Sequence, residues 1–207
     1  KTGVYSVQTR SAKGCISPSS NKSRIVVLVA PLAPTIFAVT PTSVCEGNTV
    51  TLVALYANGN VEKFSWRNEE TQQEIATTGT VILKTSGQYS VKVQDSQTCN
   101  SAYSTAQVVK INALPTKPVI QAVNGKIICD GDSALLRSSL PNTLPNNTAS
   151  YKWTFNGIQL SVVTRDLYVK GAGGYAVQVT DANGCQSVAY SDTAKFTVNP
   201  LPTMTII

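Results

Sequence analysis

Hydrophobic and polar positions alternate along much of this chain of 207 residues. Tyr89, Val91 and Val93 share one face of a run whose other face carries Ser90, Lys92 and Gln94. Tyr175, Val177 and Val179 repeat that pattern. Val50, Leu52 and Ala54 alternate, as do Phe64 and Trp66, and then Tyr151, Trp153 and Phe155. Val81 and Leu83, with Leu167 and Val169, mark short strands, and Val108–Asn112 and Phe196–Asn199 mark further ones. A period of two is that of a half-buried strand, and turn signals such as Ala182-Asn183-Gly184 separate the runs. No window keeps a helical period, and no segment approaches the length of a membrane helix. The pattern predicts an all-β chain of short antiparallel strands.

The strands recur in blocks. TGVYSVQTRSAKGCIS from Thr2, SGQYSVKVQDSQTCNS from Ser86 and GGYAVQVTDANGCQS from Gly173 share one skeleton, with pairs Tyr5/Cys15, Tyr89/Cys99 and Tyr175/Cys185. VCEGNTVTL from Val44 matches ICDGDSALL from Ile128, and KFSWRN around Trp66 matches YKWTFNG around Trp153. The period is about 85 residues, a small domain with modest burial per residue. Pro-containing linkers VAPLAPT, NALPTKP and NPLPTMT separate the blocks. Residues 33–115 and 116–202 therefore read as two complete repeats. Residues 1–32 read as the C-terminal part of an earlier repeat, and 203–207 as the start of another. The extra residues of the last copy fall in LPNTLPNNTAS before Trp153, a loop that should tolerate insertion.

The order of landmarks points to tandem immunoglobulin-like antiparallel β-sandwich repeats. Trp66 and Trp153 sit on the third strand. Tyr89 and Tyr175, each with a Gly shortly before it, open the sixth, where a tyrosine corner belongs. All four read as core and fold-closure residues. Antibody domains place a Cys two residues after that Tyr, but Val7, Val91 and Val177 stand there. The cysteines fall instead at the start of the last strand and just before the second.

Composition narrows the function. Charged residues make up 14% of the chain, there is no His, and the net charge is +6. The basic residues are scattered singly, without the clusters and aromatic platforms of a nucleic-acid groove, so no nucleic-acid partner is expected. Lack of His excludes Ser-His-Asp and Cys-His catalysis and the usual zinc sites. Glu69-Glu70 reads as a polar loop, and GAGG at 171–174 precedes a strand rather than a phosphate-binding helix. Asp130-Gly131-Asp132 lacks further spaced oxygen ligands and reads as a turn rather than a calcium loop. No enzyme, cofactor or metal is expected.

Five cysteines in such a chain read as disulfides of an oxidising compartment. One Cys per landmark makes Cys45–Cys99 and Cys129–Cys185 the simplest pairing, with the partner of Cys15 lying upstream. Each bridge would close about 55 residues and contribute roughly 4 kcal/mol. Against it, the two landmarks lie at opposite ends of a standard sandwich, and a bridge needs Cα atoms within about 7 Å. A Cys45–Cys185 staple across repeats is the alternative, with Cys99 and Cys129 left for neighbouring repeats.

The motifs around Cys129 and Gly131, Trp153, Asn156-Gly157, Gly173 to Cys185, and Pro200 and Pro202 resemble the Ig-like repeats of long secreted and cell-surface proteins of Bacteroidota. Those include gliding-motility adhesins and modular polysaccharide-degrading proteins. The middle repeat departs from the motif, with no Asn-Gly after Trp66 and Thr98 in place of Gly184. The resemblance implies export by the type IX route to the cell surface or the medium. It also implies candidate O-glycosylation at Ser133 and Thr193, in Asp-Ser-Ala and Asp-Thr-Ala. Three functions follow as expectations. One is a non-catalytic spacer or stalk whose partners are neighbouring repeats. Another is a module that binds surface polysaccharide or another cell. The third is a set of accessory repeats of a secreted modular polysaccharide-degrading enzyme, inert in themselves. Binding would call for exposed aromatics, for which Tyr56, Tyr103, Tyr168 and Tyr190 are the candidates.

Overall fold

A computed structural model of the chain describes residues 1–57, 61–139 and 149–204. The insertion expected at LPNTLPNNTAS falls mostly on 140–148, and the last residues of the expected next repeat on 205–207, both outside the described residues. Every regular element among the described residues is a strand. A hairpin of β1 (Gly3–Tyr5) and β2 (Ser23–Ile25) comes first.

One set of eight strands follows: β3 (Thr35–Ala38), β4 (Ser43–Cys45), β5 (Val50–Leu55), β6 (Val61–Asn68), β7 (Glu74–Ala76), β8 (Thr80–Leu83), β9 (Gly87–Asp95) and β10 (Gln107–Asn112). A second set of eight repeats it: β11 (Ile120–Ala122), β12 (Ile127–Cys129), β13 (Ala134–Ser138), β14 (Ser150–Phe155), β15 (Ile158–Gln159), β16 (Asp166–Val169), β17 (Gly173–Thr180) and β18 (Ala194–Asn199). The sheets correspond one to one. The first set forms β3-β5-β8 and β4-β10-β9-β6-β7, and the second forms β11-β13-β16 and β12-β18-β17-β14-β15. Three strands facing five, with the first strand split between the sheets, is an immunoglobulin-like β-sandwich.

Each core is the inward face of these strands. In the second set Leu136, Trp153, Val177 and Val179 are fully buried, with Tyr151, Leu167, Val169, Tyr175 and Phe196 around them. In the first, Val50, Leu52, Trp66, Tyr89, Val91 and Val93 take the same places. Each tryptophan also closes a polar bond. Trp66 Nε1 donates to Thr78 O at 2.8 Å, and Trp153 Nε1 to Thr164 O at 2.9 Å. The Tyr175 hydroxyl donates to Gly171 O at 3.0 Å, four residues upstream, as a tyrosine corner does. In the hairpin, Tyr5 donates to Lys1 O over the same spacing.

By contacts the chain falls into two compact units. One gathers Lys1–Val39, Thr51–Val81 and Gly87–Val108, and the other Thr40–Val50, Ile82–Ser86 and the residues from Val109 on. Cys45 and Cys185 both belong to the second.

Candidate functional site

The segment between β4 and β5 forms the same turn as the one between β12 and β13. Asn48 N donates to Cys45 O and Asp132 N to Cys129 O, each at 3.0 Å. Gly47 and Gly131 both take φ +91° at the third position, which makes these type II turns. Asp130-Gly131-Asp132 is thus a turn, and among the described residues no three His, Cys, Asp or Glu side chains gather as a metal-binding group.

Cys45 ends β4 and is bonded to Cys185, with Cα atoms 5.5 Å apart and a sequence separation of 140. Cys15, Cys99 and Cys129 are free. The within-repeat pairings Cys45–Cys99 and Cys129–Cys185 do not form, and register explains why. β4 runs parallel to β10 with Cys45 opposite Asn112, the last residue of β10. Cys99 lies before the first residue of β10. The length of β10, roughly 20 Å at about 3.3 Å per residue, separates the two. Cys129 stands likewise opposite Asn199 at the end of β18, while Cys185 precedes that strand.

Cys99 and Cys185 do not open the last strand either, as the sequence had suggested. They sit in the long connections between β9 and β10 and between β17 and β18. Asp181 Oδ1 accepts from the backbone N–H of Asn183 and of Cys185 at 2.8 Å, and Asp95 Oδ1 holds Gln97 and Cys99 at 2.9 Å. Gly184 takes φ +79° there. Thr98 occupies the same left-handed slot at φ +65°, so the turn survives the loss of its glycine.

After each of these cysteines the chain is held by serines rather than by a continuous strand. Ser101 N donates to Val93 O at 2.9 Å, and Ser101 Oγ accepts from Val93 N at 3.0 Å. One serine thus makes both bonds of an antiparallel pair. Ser104 does the same for Val91, Ser187 for Val179 and Ser191 for Val177. In the hairpin Ser17 and Ser20 bridge Thr9 and Val7 in the same way. Sequence reasoning missed these residues. Their signal was a Ser two residues after each of Cys15, Cys99 and Cys185.

The outer face of the five-stranded sheets differs between the sets. In the first, the Ser90 hydroxyl donates to Glu69, whose carboxylate also takes two bonds of 2.9 Å from Arg67 Nη2. Those donors, Ser90 first and then Arg67, hold the Glu69 carboxyl below its ordinary value. Arg67 lies 3.8 Å over the Tyr103 ring, a cation–π contact that covers one face of this candidate aromatic. Glu69 therefore belongs to a sheet-face network, not to a solvated loop. In the second set the matching pair in the strand register is Thr154 and Ala176, where the first set has Arg67 and Ser90. Asn156 N donates to Gly174 O, as Glu69 N does to Gln88 O. With these smaller residues the face is open. A groove of about 610 Å³ runs over Thr154, Asn156, Gly174, Ala176 and Lys195, with Thr193 on its wall.

Of the other candidate aromatics, Tyr168 projects from β16 at 72% exposure, and Tyr56 and Tyr190 are half-buried. Ser133 and Thr193 are both exposed.

No family model matches the chain, and no curated protein matches it. Among solved structures, a marsupial T cell receptor is similar at TM-score 0.57 and 15% identity, over 83% of this chain and 74% of that one. Fibronectin(III)-like modules of Clostridium thermocellum CbhA align at TM-score 0.48 and 13% identity, over 83% of this chain and 99% of theirs. The three N-terminal domains of the bacteriophage RB49 outer capsid protein Hoc align at TM-score 0.40 and 17% identity, over 80% of this chain and 59% of that one. The likeness to the receptor is one of fold, and the fold is that of tandem immunoglobulin-like domains. Among the described residues no helix is long and apolar enough to cross a membrane.

Proposed function

We propose that residues 33–115 and 116–202 are non-catalytic spacer modules in a long extracellular protein of the stalk or adhesin type. Residues 1–32 supply the closing strands of a preceding module, because β1 and β2 pair as β17 and β18 do. Residues 203–207 lead into a following one. The observation that carries the reading is the Cys45–Cys185 bond, which ties one sequence repeat covalently to the next. Such a tie resists separation of the repeats, which is the demand on a spacer. A disulfide of this kind also supports an oxidising, extracellular location. The resemblance to Bacteroidota repeats supports export by the type IX route and a gliding or adhesion context. It supports glycans on Ser133 and Thr193 as well, and the intact mass of protein from its natural source checks those. The experiment for the spacer is antibody labelling of intact producing cells, with a non-reducing blot of cell and medium fractions. A very large labelled species at the surface is expected. Protein confined to the cell interior would remove the reading.

One observation favours a second reading, binding of a polysaccharide or another cell's surface. The groove over Thr154, Asn156, Gly174 and Ala176 is open in the second set, where the first fills the same face with Arg67 and Glu69. A glycan array on the intact chain tests it. Binding that disappears in Thr154→Arg supports a groove ligand, and a blank array returns the chain to the spacer role.

A further inference from the structure

The disulfide changes which part of the chain can carry tension. Cys45 and Cys185 are joined directly, and 140 positions of sequence separate them. A pull applied to residues before Cys45 and after Cys185 passes through the sulfur–sulfur bond. Everything from β5 to β17 lies on a side loop of that path and feels no end-to-end load. Only β1 to β4 and β18 lie on it.

We propose that the Cys45–Cys185 bond makes this pair of repeats a strain limiter: the flanking strands can peel, but the two cores cannot be drawn out. The shielding follows from connectivity alone, whereas its use in a rod rests on the spacer reading. The protected strands include those that build both cores, with Trp66, Tyr89, Val91, Trp153, Tyr175 and Val177 among their residues. At about 3.3–3.6 Å per extended residue, the side loop hides roughly 480 Å of contour length. The strands left on the path are small in comparison. β3 pairs only with β5 in its sheet, and β4 only with β10. Tension can strip these two edges while the sheets behind them stay whole, and β18, which lies between β12 and β17 and buries Ala194 and Phe196, is an inner strand left on the path. A repeat without such a bond would yield its full length once its core opened.

Single-molecule force extension tests this on the full chain, held by peptide tags at its two ends so that no cysteine is used for attachment. Oxidised protein is expected to release roughly 480 Å less contour length than protein treated with dithiothreitol. Cys45→Ser and Cys185→Ser should each give the reduced length without reductant. Cys99→Ser with Cys129→Ser should keep the short one. Equal lengths with and without reductant would overturn the proposal. So would a difference of roughly 190 or 380 Å, the signature of one or two within-repeat bridges. The reduced wild type supplies the long reference even if a serine variant fails to fold. Failure to find the protein at a cell surface would remove the spacer reading and leave the force result standing.

Discussion

Ser101 carries a role out of proportion to its size. Its hydroxyl is the acceptor for the buried Val93 N–H, and it donates onward to Ala102 O at 2.7 Å. Ser101→Ala leaves that N–H without a partner inside the sheet. The cost of an unsatisfied buried donor is about 1–3 kcal/mol. Urea unfolding of the variant should show that loss, and Ser187→Ala a similar one at Val179. A surface serine such as Ser133 should show none. Glu69 gives a second test at this scale. Its carboxyl is depressed in the folded chain by Ser90 and then Arg67, from an ordinary 4.5. A depressed carboxyl contributes stability that is fully present above 4.5 and fades as pH falls through the lower folded value. Between pH 7 and pH 3 the wild type should therefore lose more stability to urea than Glu69→Gln. Equal losses would show that the network contributes nothing.

Among the elements, β17 shows how close packing fixes a residue. A Cβ on Gly173 would fall 2.4 Å from Phe155 Cε2, and its φ of +153° suits glycine. Gly173→Ala should cost about 1–3 kcal/mol through overpacking and backbone strain, read as a lowered thermal midpoint. The strands themselves were legible because period two is written directly into Tyr89, Val91 and Val93, and burial follows it. The hairpin of β14 and β15 went unread, although Asn156-Gly157 takes φ +48° and +84°, the type I′ turn its residues favour. Register was not legible. Nothing in the alternation says that β4 runs parallel to β10 or that Cys45 ends opposite Asn112, so counting cysteines pointed to the wrong partner. The filled face of the first set was hidden for a related reason. Glu69 lies outside the strands by sequence, and only the pairing of Arg67 with Ser90 brings its carboxylate to them.

For the molecule as a whole, one covalent tie dominates. On the chain-entropy view a loop of this length is worth about 5 kcal/mol. Reduction should lower the thermal midpoint, and Cys45→Ser should match the reduced protein without further change on adding reductant. A midpoint that ignores reductant would mean that the tie does not form in solution. The same tie bears on survival among proteases. A single cut anywhere between Cys45 and Cys185 leaves both pieces covalently joined, so a nicked molecule still spans from its first residue to its last. On a gel it would run as one band until reduced and as two thereafter. Within these residues, secreted peptidases can sever the chain outright only before Cys45 or after Cys185.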